Sequence, residues 1–269
     1  MADARGVRTV APDGSPYPDR RDPAFERDVQ RMFAHIARRY ERFDHVASLG
    51  NDLLWRPRAL WALDRFRAPG PVRRALDLGC GTGELTRLAA RHFPGAEVVG
   101  VDFTAAMLAE ARRRTPTRST AVRYGRATAL SLPFADAAFD LAMNAFLVRN
   151  LVDLDAALRE MRRVLRPGGV LLILEITEPS APAVASLFHA YFDHVVPWLG
   201  AAVDSAGPYR YLPESLRRLP PRPAFRAALA RAGFGRVALV PQSMGIVTTF
   251  LAEAGPPARG DAPSSDRSR

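Results

Sequence analysis

The chain has 269 residues and a mass of 29.5 kDa, and 48% of its residues are hydrophobic. This composition excludes disorder as the dominant state, because it supplies enough apolar surface to bury the core of one large domain or two small ones. The single cysteine, Cys80, excludes an intrachain disulfide framework. The sequence shows no export signal and no apolar run near the roughly 20 residues of a membrane span, so we expect a cytoplasmic protein.

The formal net charge is +10, the isoelectric point is near 10.9, and arginine supplies all 38 basic residues. A basic surface gathers polyanions such as nucleic acids and anionic lipids. Arginine without lysine, alongside many alanines and prolines, is also typical of codon bias. Because the sequence has no appended RNA module and no cluster of stacking aromatic residues, we expect no nucleic-acid partner and keep an RNA-binding protein as a weak alternative.

The two ends of the chain, residues 1–22 and 255–269, are polar, rich in proline or glycine, and lack apolar periodicity. This composition predicts disordered tails around a single domain at 23–254. At the start of that domain, apolar residues recur at steps of three and four from Val29 to Phe43. This spacing predicts one amphipathic helix with an apolar stripe against the core.

Short apolar strands alternate with helical segments from Arg73 onward. The predicted strands are 75–78, 97–101, 121–124, 139–143, 170–176, 236–240 and 245–251, and the predicted helices are 85–91, 105–113, 154–165 and 224–232. Such a series forms an α/β domain with a doubly wound, mostly parallel sheet, and ligands bind at the carboxyl ends of its strands. We expect seven strands and a helical insert at 180–222.

A glycine turn follows the first predicted strand, where residues 77–84 are D-L-G-C-G-T-G-E. The dinucleotide fingerprint needs Gly or Ala where Glu84 stands, which argues against NAD. Three glycines let the backbone approach a ligand closely, and the Asp77 carboxylate can balance an ammonium group. An amino-acid moiety fits this turn, and S-adenosylmethionine carries one.

Asp102 ends the second predicted strand, roughly 20 residues after the glycine turn. An acid at this position can accept hydrogen bonds from both hydroxyls of a ribose. The alternative is that Asp102 caps the helix that begins at Ala105, a role that Thr104 can also fill. The pairing of this acid with the glycine turn favours nucleoside binding.

These motifs resemble the menaquinone and ubiquinone C-methyltransferases, a branch of the class I S-adenosylmethionine-dependent methyltransferases. The resemblance runs from about residue 28 to 252, and its narrowest motifs are Phe146 with Arg149-Asn150 and the stretch 209–212. It implies a Rossmann-like fold in which the insert at 180–222 covers the substrate site. It also implies the activity, which is carbon methylation of a polyprenyl quinol, above all demethylmenaquinol, with S-adenosylmethionine as donor.

The resemblance also implies the site residues, with Arg149 and Asn150 as the catalytic pair. The implied cofactor residues are Asp77, Gly79, Gly81, Thr82, Gly83, Asp102, Thr128, Ala129 and Ala145. Several positions depart from the family pattern. Thr128 replaces the usual Asp or Asn, Ala145 replaces Ser, Leu147 replaces Gly, and Tyr40-Glu41…Asp44 replaces Tyr-Asp…Asn.

Carbon methylation requires a quinol that has lost a phenolic proton, whose pKa near 10 must be lowered. Arg149 stays protonated, so we assign it to stabilising the phenolate, with a water to carry the proton away. His194 is the alternative proton acceptor. In the plainer alternative, Asn150 caps the helix near Asp153 and Arg149 is solvated. We predict no metal site, because His189 and His194 do not share a helix face.

A polyprenyl quinol resides in the bilayer, so we expect transient contact with the inner face of the cell membrane. The predicted contact is the amino-terminal amphipathic helix with Arg31, Arg38, Arg39 and Arg42. Apolar residues from Phe188 to Trp198 line a pocket for the prenyl tail or pack in the core. A homodimer is left open, and a methyltransferase of a soluble phenolic or polyketide substrate is the alternative function.

Overall fold

The computed structural model describes residues 25–116, 121–196, 211, 215–216 and 218–256. The tail expected at 1–22 lies outside these ranges, as do all but two residues of the tail expected at 255–269 and much of the insert expected at 180–222. No helix in the described part of the chain is both long and apolar enough to span a bilayer.

The described residues form one seven-stranded sheet. Its strands are β1 (Arg74–Leu78), β2 (Glu97–Asp102), β3 (Val122–Arg126), β4 (Phe139–Ala145), β5 (Leu165–Ile176), β6 (Phe234–Gln242) and β7 (Val247–Ala254). Their spatial order is β3-β2-β1-β4-β5-β7-β6. Strands β1 to β5 run parallel, and β7 is antiparallel to both β5 and β6. The doubly wound, mostly parallel sheet that the sequence predicted is confirmed.

Helices cover both faces of this sheet. They are α1 (Phe25–Ile36), α2 (Tyr40–Ala47), α3 (Asp52–Phe66), α4 (Glu84–His92), α5 (Ala105–Arg114), α6 (Leu154–Val164), α7 (Pro182–Ala190) and α8 (Arg222–Arg231). Successive strand residues point to opposite faces. In β5, Leu172 and Leu174 pack with α3, α4 and α7, whereas Leu171 and Ile173 pack with α6 and α8. Burial on both faces explains the continuous apolar run of this strand.

The single helix predicted from Val29 to Phe43 is wrong, because the structure divides it into α1 and α2. A turn closed by the Arg39 N–H, which donates to the Ile36 carbonyl at 2.9 Å, separates the two helices. Ile36 and Ala37 pack against Met107 of α5 before the break. The break lets Tyr40, the first residue of α2, line the cavities described below.

The apolar stripe of α1 is buried inside the protein. Phe25, Val29, Met32 and Ile36 are each less than 5% exposed. The first three pack with Tyr211, and Ile36 packs with Met107 of α5. An interfacial helix must offer its apolar face to the lipid. The membrane contact that the sequence assigned to this helix therefore lacks an available apolar surface.

Candidate active site

The carboxyl ends of β1, β2 and β4 meet at one edge of the sheet and border the main cavity, which encloses about 1040 Å³ including its open mouth. Parallel sheets bind ligands at this edge. The lining brings together eight of the nine predicted cofactor residues: Asp77, Gly79, Gly81, Thr82, Asp102, Thr128, Ala129 and Ala145. The sequence prediction and the geometry thus identify the same pocket.

The glycine turn forms one wall of the main cavity. Gly79 and Gly81 have φ values of 60° and 53°, in the left-handed region that favours glycine. A Cβ at Gly79 would lie 2.6 Å from the Leu147 side chain, whereas a Cβ at Gly81 would meet nothing within 4 Å. Gly79 therefore permits close packing, and Gly81 leaves the backbone open toward a ligand.

Asp77 is 1% exposed and lies beside this turn. The Thr86 hydroxyl donates to its carboxylate at 2.6 Å. Burial is the largest influence and raises the pKa of Asp77 to about 7, although the hydrogen bond from Thr86 and the charge of Arg56 lower it. A cationic ligand beside Asp77 stabilises the charged form of this buried carboxylate, so the site favours such a ligand.

Asp102 joins the glycine turn to the end of β2. Its two carboxylate oxygens accept hydrogen bonds from the N–H of Gly81 at 2.9 Å and from the N–H of Thr104 at 2.8 Å. Burial raises the pKa of Asp102, against the lowering effect of these bonds. The cap position of α5 is Thr104, so Asp102 supports the start of this helix through the Thr104 N–H and also lines the cavity.

Gly83 differs from the other predicted cofactor residues because it does not line the main cavity. It precedes α4 with a φ of 80°, and a Cβ there would lie 2.3 Å from the Tyr124 hydroxyl oxygen. The structure thus gives this glycine a packing role. Thr82 does line the cavity, and its hydroxyl donates to Glu41 at 2.6 Å.

The second cavity encloses about 440 Å³ and adjoins the main cavity through two shared residues, Tyr40 and Phe146. Its lining is drawn from α2, α3, the ends of β4 and β5, and the π-helical turn after α7: Tyr40, Asp44, Ala47, Ser48, Asp52, Trp55, Phe146, Arg149, Ile176 and Phe192. Phe146 has a φ of 60°, a strained conformation for a non-glycine residue. This conformation holds the ring at the junction of the two cavities.

Arg149 lies in the second cavity and is 6% exposed. Its Nη1 donates to Glu175, itself fully buried, at 2.5 Å. Burial is the largest single influence and lowers the pKa of Arg149, but the charge and hydrogen bond of Glu175, together with Tyr40 and Asp44, raise it overall. The guanidinium carbon lies 5.6 Å from the Phe146 ring centroid, and that of Arg56 lies 5.4 Å from the same ring. Two cations therefore flank the junction ring.

Asn150 lines the main cavity and is held on both sides of its amide. Its Nδ2 donates to the Phe146 carbonyl at 3.2 Å, and its Oδ1 accepts from the Tyr211 hydroxyl at 3.0 Å. Helix α6 is instead capped by Asp153, whose carboxylate accepts from the Ala156 N–H at 2.9 Å. The alternative in which Asn150 caps this helix and Arg149 is solvated is therefore wrong.

Asp44 is a residue of the second cavity to which the sequence assigned no role. Burial raises its pKa to about 7, Arg56 and Arg149 lower it, and Glu84 and Asp52 raise it further. The pKa of Tyr40 is also raised, first by burial and then by the charge of Asp44, with which it shares a hydrogen bond. The only signal in the sequence was the departure from Asn at this position.

His194 lies apart from both cavities. It is exposed in the π-helical turn Tyr191–Val195 and lines neither of them. Among the described residues, no group of three or more His, Cys, Asp or Glu side chains has the arrangement of a metal site. The structure therefore brings Arg149 and Asn150 to the site and leaves His194 at the surface.

Comparison with known proteins places this geometry in a family. A demethylmenaquinone methyltransferase of Thermus thermophilus is 46% identical over 204 residues, 76% of this chain and 91% of that protein. A ubiquinone/menaquinone biosynthesis C-methyltransferase UbiE of Syntrophotalea carbinolica is 36% identical over 223 residues, 83% of this chain and 92% of its own length.

A solved structure shares the fold at low sequence identity. It is a SAM-dependent methyltransferase of Thermotoga maritima, described as a possible histamine N-methyltransferase, with a TM-score of 0.58 and 18% identity over 84% of this chain and 99% of its own. The model of the ubiE/COQ5 methyltransferase family matches residues 22–253. The chain belongs to the ubiE/COQ5 methyltransferase family.

Proposed function

We propose that this protein transfers a methyl group from S-adenosylmethionine to a ring carbon of a polyprenyl quinol, with demethylmenaquinol as the preferred substrate. The observation that carries this proposal is the pair of adjoining cavities, one lined by an acidic glycine turn and the other by the buried guanidinium of Arg149. The name of the Thermus relative supports the naphthoquinol head group. The second relative, named for both quinones, keeps a benzoquinol as the substrate to compare.

The main cavity fits S-adenosylmethionine, which when bound supplies an electrophilic methyl group on a sulfonium. The open space at Gly81 admits a ligand close to the backbone. Asp77 offers a buried carboxylate to a cationic amino-acid moiety, and Asp102 offers one to ribose hydroxyls. The Thr128 hydroxyl accepts a 3.4 Å bond from its own turn, so we assign adenine contact to the backbone around Ala129.

Arg149 stabilises the phenolate in this proposal. Its Nε is buried and has no hydrogen-bond partner among the described residues, although Nη1 is held by Glu175. A protonated guanidinium in a water-poor cavity stabilises a developing oxyanion and lowers the pKa of the phenol that forms it. Glu175 positions Arg149, and Asn150 lies next to it on the side of the main cavity.

Asp44 accepts the phenolic proton. The O–H bond breaks, Asp44 becomes a carboxylic acid, and the ring carbon beside the phenolate oxygen forms a bond to the methyl carbon as the methyl–sulfur bond breaks. The methylated carbon then loses its ring hydrogen as a proton to water, and the oxygen recovers a proton from Asp44. One proton is released in each turnover, and Asp44 returns to its starting state. The location of Asp44 in the cavity supports this role better than that of exposed His194.

The prenyl tail extends from the second cavity toward α7 in this proposal. A third cavity adjoins the second through Ile176 and Phe192, and Phe188 also lines it. The apolar part of this lining, at Ile176, Phe188 and Phe192, supports the tail pocket that the sequence predicted around these aromatic residues. A substrate of this kind lies in a bilayer, so we propose that the protein binds transiently to the inner face of the cell membrane.

Product analysis tests the proposed function. The purified protein is mixed with S-adenosylmethionine and, in parallel, a chemically reduced prenyl naphthoquinol, its benzoquinol analogue and an unprenylated phenol, and products are identified by mass spectrometry. We expect a methyl group on the naphthoquinol ring. Methylation of the unprenylated phenol alone would overturn the proposal in favour of a soluble phenolic or polyketide substrate.

A further inference from the structure

Helix α3 has a stripe on its outward face that combines two apolar residues with two arginines. Leu54, Arg58, Trp61 and Arg65 recur at steps of four, three and four, which places them within about 60° of arc on a helix with 3.6 residues per turn. All four are exposed, Trp61 by 61%. The opposite face is fully buried through residues such as Leu63. A surface helix normally has a polar outer face, so this one is shaped for a further contact.

Two turns place further apolar side chains beside α3. Leu49, just before the helix, is 77% exposed, and Met244, in the turn before β7, is 74% exposed. Both have positive φ values, 52° and 56°, which are costly for residues other than glycine. Trp55 joins the second turn to α3, since its Nε1 donates to the Ser243 hydroxyl at 2.8 Å. Ser243, the neighbour of Met244, lines a cavity with Arg58 and Trp61, and Leu49 lies three residues before α3, so both exposed apolar side chains lie near this helix.

The arginines of the stripe carry uncompensated charge. Among the described residues, neither Arg58 nor Arg65 has an acidic partner within ion-pair distance. The neighbouring acid Asp64 is engaged by Arg67 at 3.2 Å and by His92 at 2.6 Å. These unpaired guanidiniums are complementary to an anionic surface layer, and the exposed Leu and Trp side chains beside them are complementary to an apolar layer beneath it.

This face lies just outside the second cavity. Asp52 and Trp55 line that cavity from the inner side of α3, and Ala47 and Ser48 line it from the turn that leads to Leu49. Helix α3 therefore separates this face from the chamber to which we assign the quinol, and residues 47–49 lead from that chamber to the face.

We propose that Leu49, Leu54, Arg58, Trp61, Arg65 and Met244 form a docking face for the surface of an anionic lipid bilayer. The apolar side chains enter the boundary of the acyl chains, and the two guanidiniums remain at the headgroup phosphates. The purpose of this docking rests on the proposed function, because a membrane-resident quinol must reach the second cavity. This docking face takes the place of the membrane contact that the sequence assigned to α1, because the apolar stripe of α1 is buried.

Vesicle binding tests the docking face without any substrate. The full chain is mixed with vesicles of phosphatidylcholine alone or with added phosphatidylglycerol, and the bound fraction is measured by flotation. We expect binding to the anionic vesicles that weakens with added salt. Arg58→Glu/Arg65→Glu should lower partitioning by about 30-fold or more, because each basic residue near such a surface contributes about fivefold and the acidic replacements add repulsion. Leu54→Ser/Trp61→Ser should also release the protein.

The matched control is Arg159→Glu/Arg226→Glu, which makes the same change of charge on α6 and α8 across the sheet. Equal loss of binding in this control, or no loss in the α3 variants, would overturn the docking face. So would a stable dimer that dissociates in Leu54→Ser/Trp61→Ser while vesicles go unbound, since a second copy would then occupy the face. Every variant should methylate a short-tailed quinol in solution at the wild-type rate. Vesicle binding without methylation of any quinol would instead contradict only the proposed function.

Discussion

Asp44 titrates close to neutral pH because burial outweighs the charges that lower its pKa. Burial favours the neutral acid, Glu84 and Asp52 reinforce burial, and the two guanidiniums of Arg56 and Arg149 oppose it. A base must be ionised to act, so turnover should rise as the pH increases through about 7 and then level off. Asp77 also has a pKa of about 7, so the profile is measured with saturating S-adenosylmethionine, which holds Asp77 charged and leaves the acid limb to Asp44.

Asp44→Asn should lower kcat by about 100-fold or more and remove the limb near neutral pH, with a small change in KM. Asp136→Asn, the same change at an exposed carboxylate, is the control and should keep the wild-type profile. Steady-state kinetics from acid to alkaline pH measure both variants. The family resemblance gives Asn at this position, so undiminished turnover by Asp44→Asn would mean that the reaction needs no carboxylate here.

Arg149 and Glu175 form a buried ion pair, and removal of one partner alone leaves a charge without compensation. That loss costs about 3–5 kcal/mol of unfolding free energy. The variant Arg149→Met/Glu175→Gln removes both charges, so it should fold with little loss. Its kcat should fall by about 100-fold or more, because the phenolate loses its cation. Calorimetry should show unchanged affinity for S-adenosylmethionine, and wild-type turnover by this double variant would remove Arg149 from the mechanism.

Two glycines of the turn between β1 and α4 have different roles, because Gly81 leaves space for a ligand and Gly83 allows close packing against Tyr124. Gly81→Ala incurs a backbone cost of about 1–2 kcal/mol and projects a methyl group into open space in the main cavity. Gly83→Ala incurs the same cost and also forces a methyl group against Tyr124, which adds about 1–3 kcal/mol. We expect Gly81→Ala to weaken S-adenosylmethionine binding most and Gly83→Ala to lower stability most. Calorimetry and denaturant unfolding measure the two effects, and the reverse ranking would contradict these assignments.

The elements themselves could be predicted because their signals are local. The strands of a parallel sheet are continuous apolar runs, and the glycine turn and Asp102 belong to strand ends that must share one edge. The second cavity could not be derived in this way. Asp44, Trp55, Phe146 and Arg149 come from α2, α3 and the end of β4, and their meeting depends on the turn between α1 and α2. Apolar periodicity continues through that turn and gives no sign of the break.

Ion pairs engage some of the 38 arginines of the whole molecule, although they leave its net charge at +10 because each pair is neutral. Arg163 pairs with Asp136 and Glu160, Arg236 pairs with Glu253, and Arg74 pairs with Glu97. Such pairs reduce the number of arginines that can neutralise phosphates. Among the described residues, exposed aromatic side chains do not form a cluster on which nucleic-acid bases could stack.

RNA binding should therefore be weak, indifferent to sequence and strongly dependent on salt. Each phosphate contact releases counterions, so affinity that comes from charge alone falls steeply as ionic strength rises. Fluorescence anisotropy with single-stranded RNA should show binding at low salt and little at about 0.15 M. Arg58→Glu/Arg65→Glu should reduce the low-salt binding, because the same free guanidiniums attract any polyanion. Tight, sequence-selective binding at 0.15 M salt, near physiological, would show a recognition surface that charge and fold do not explain.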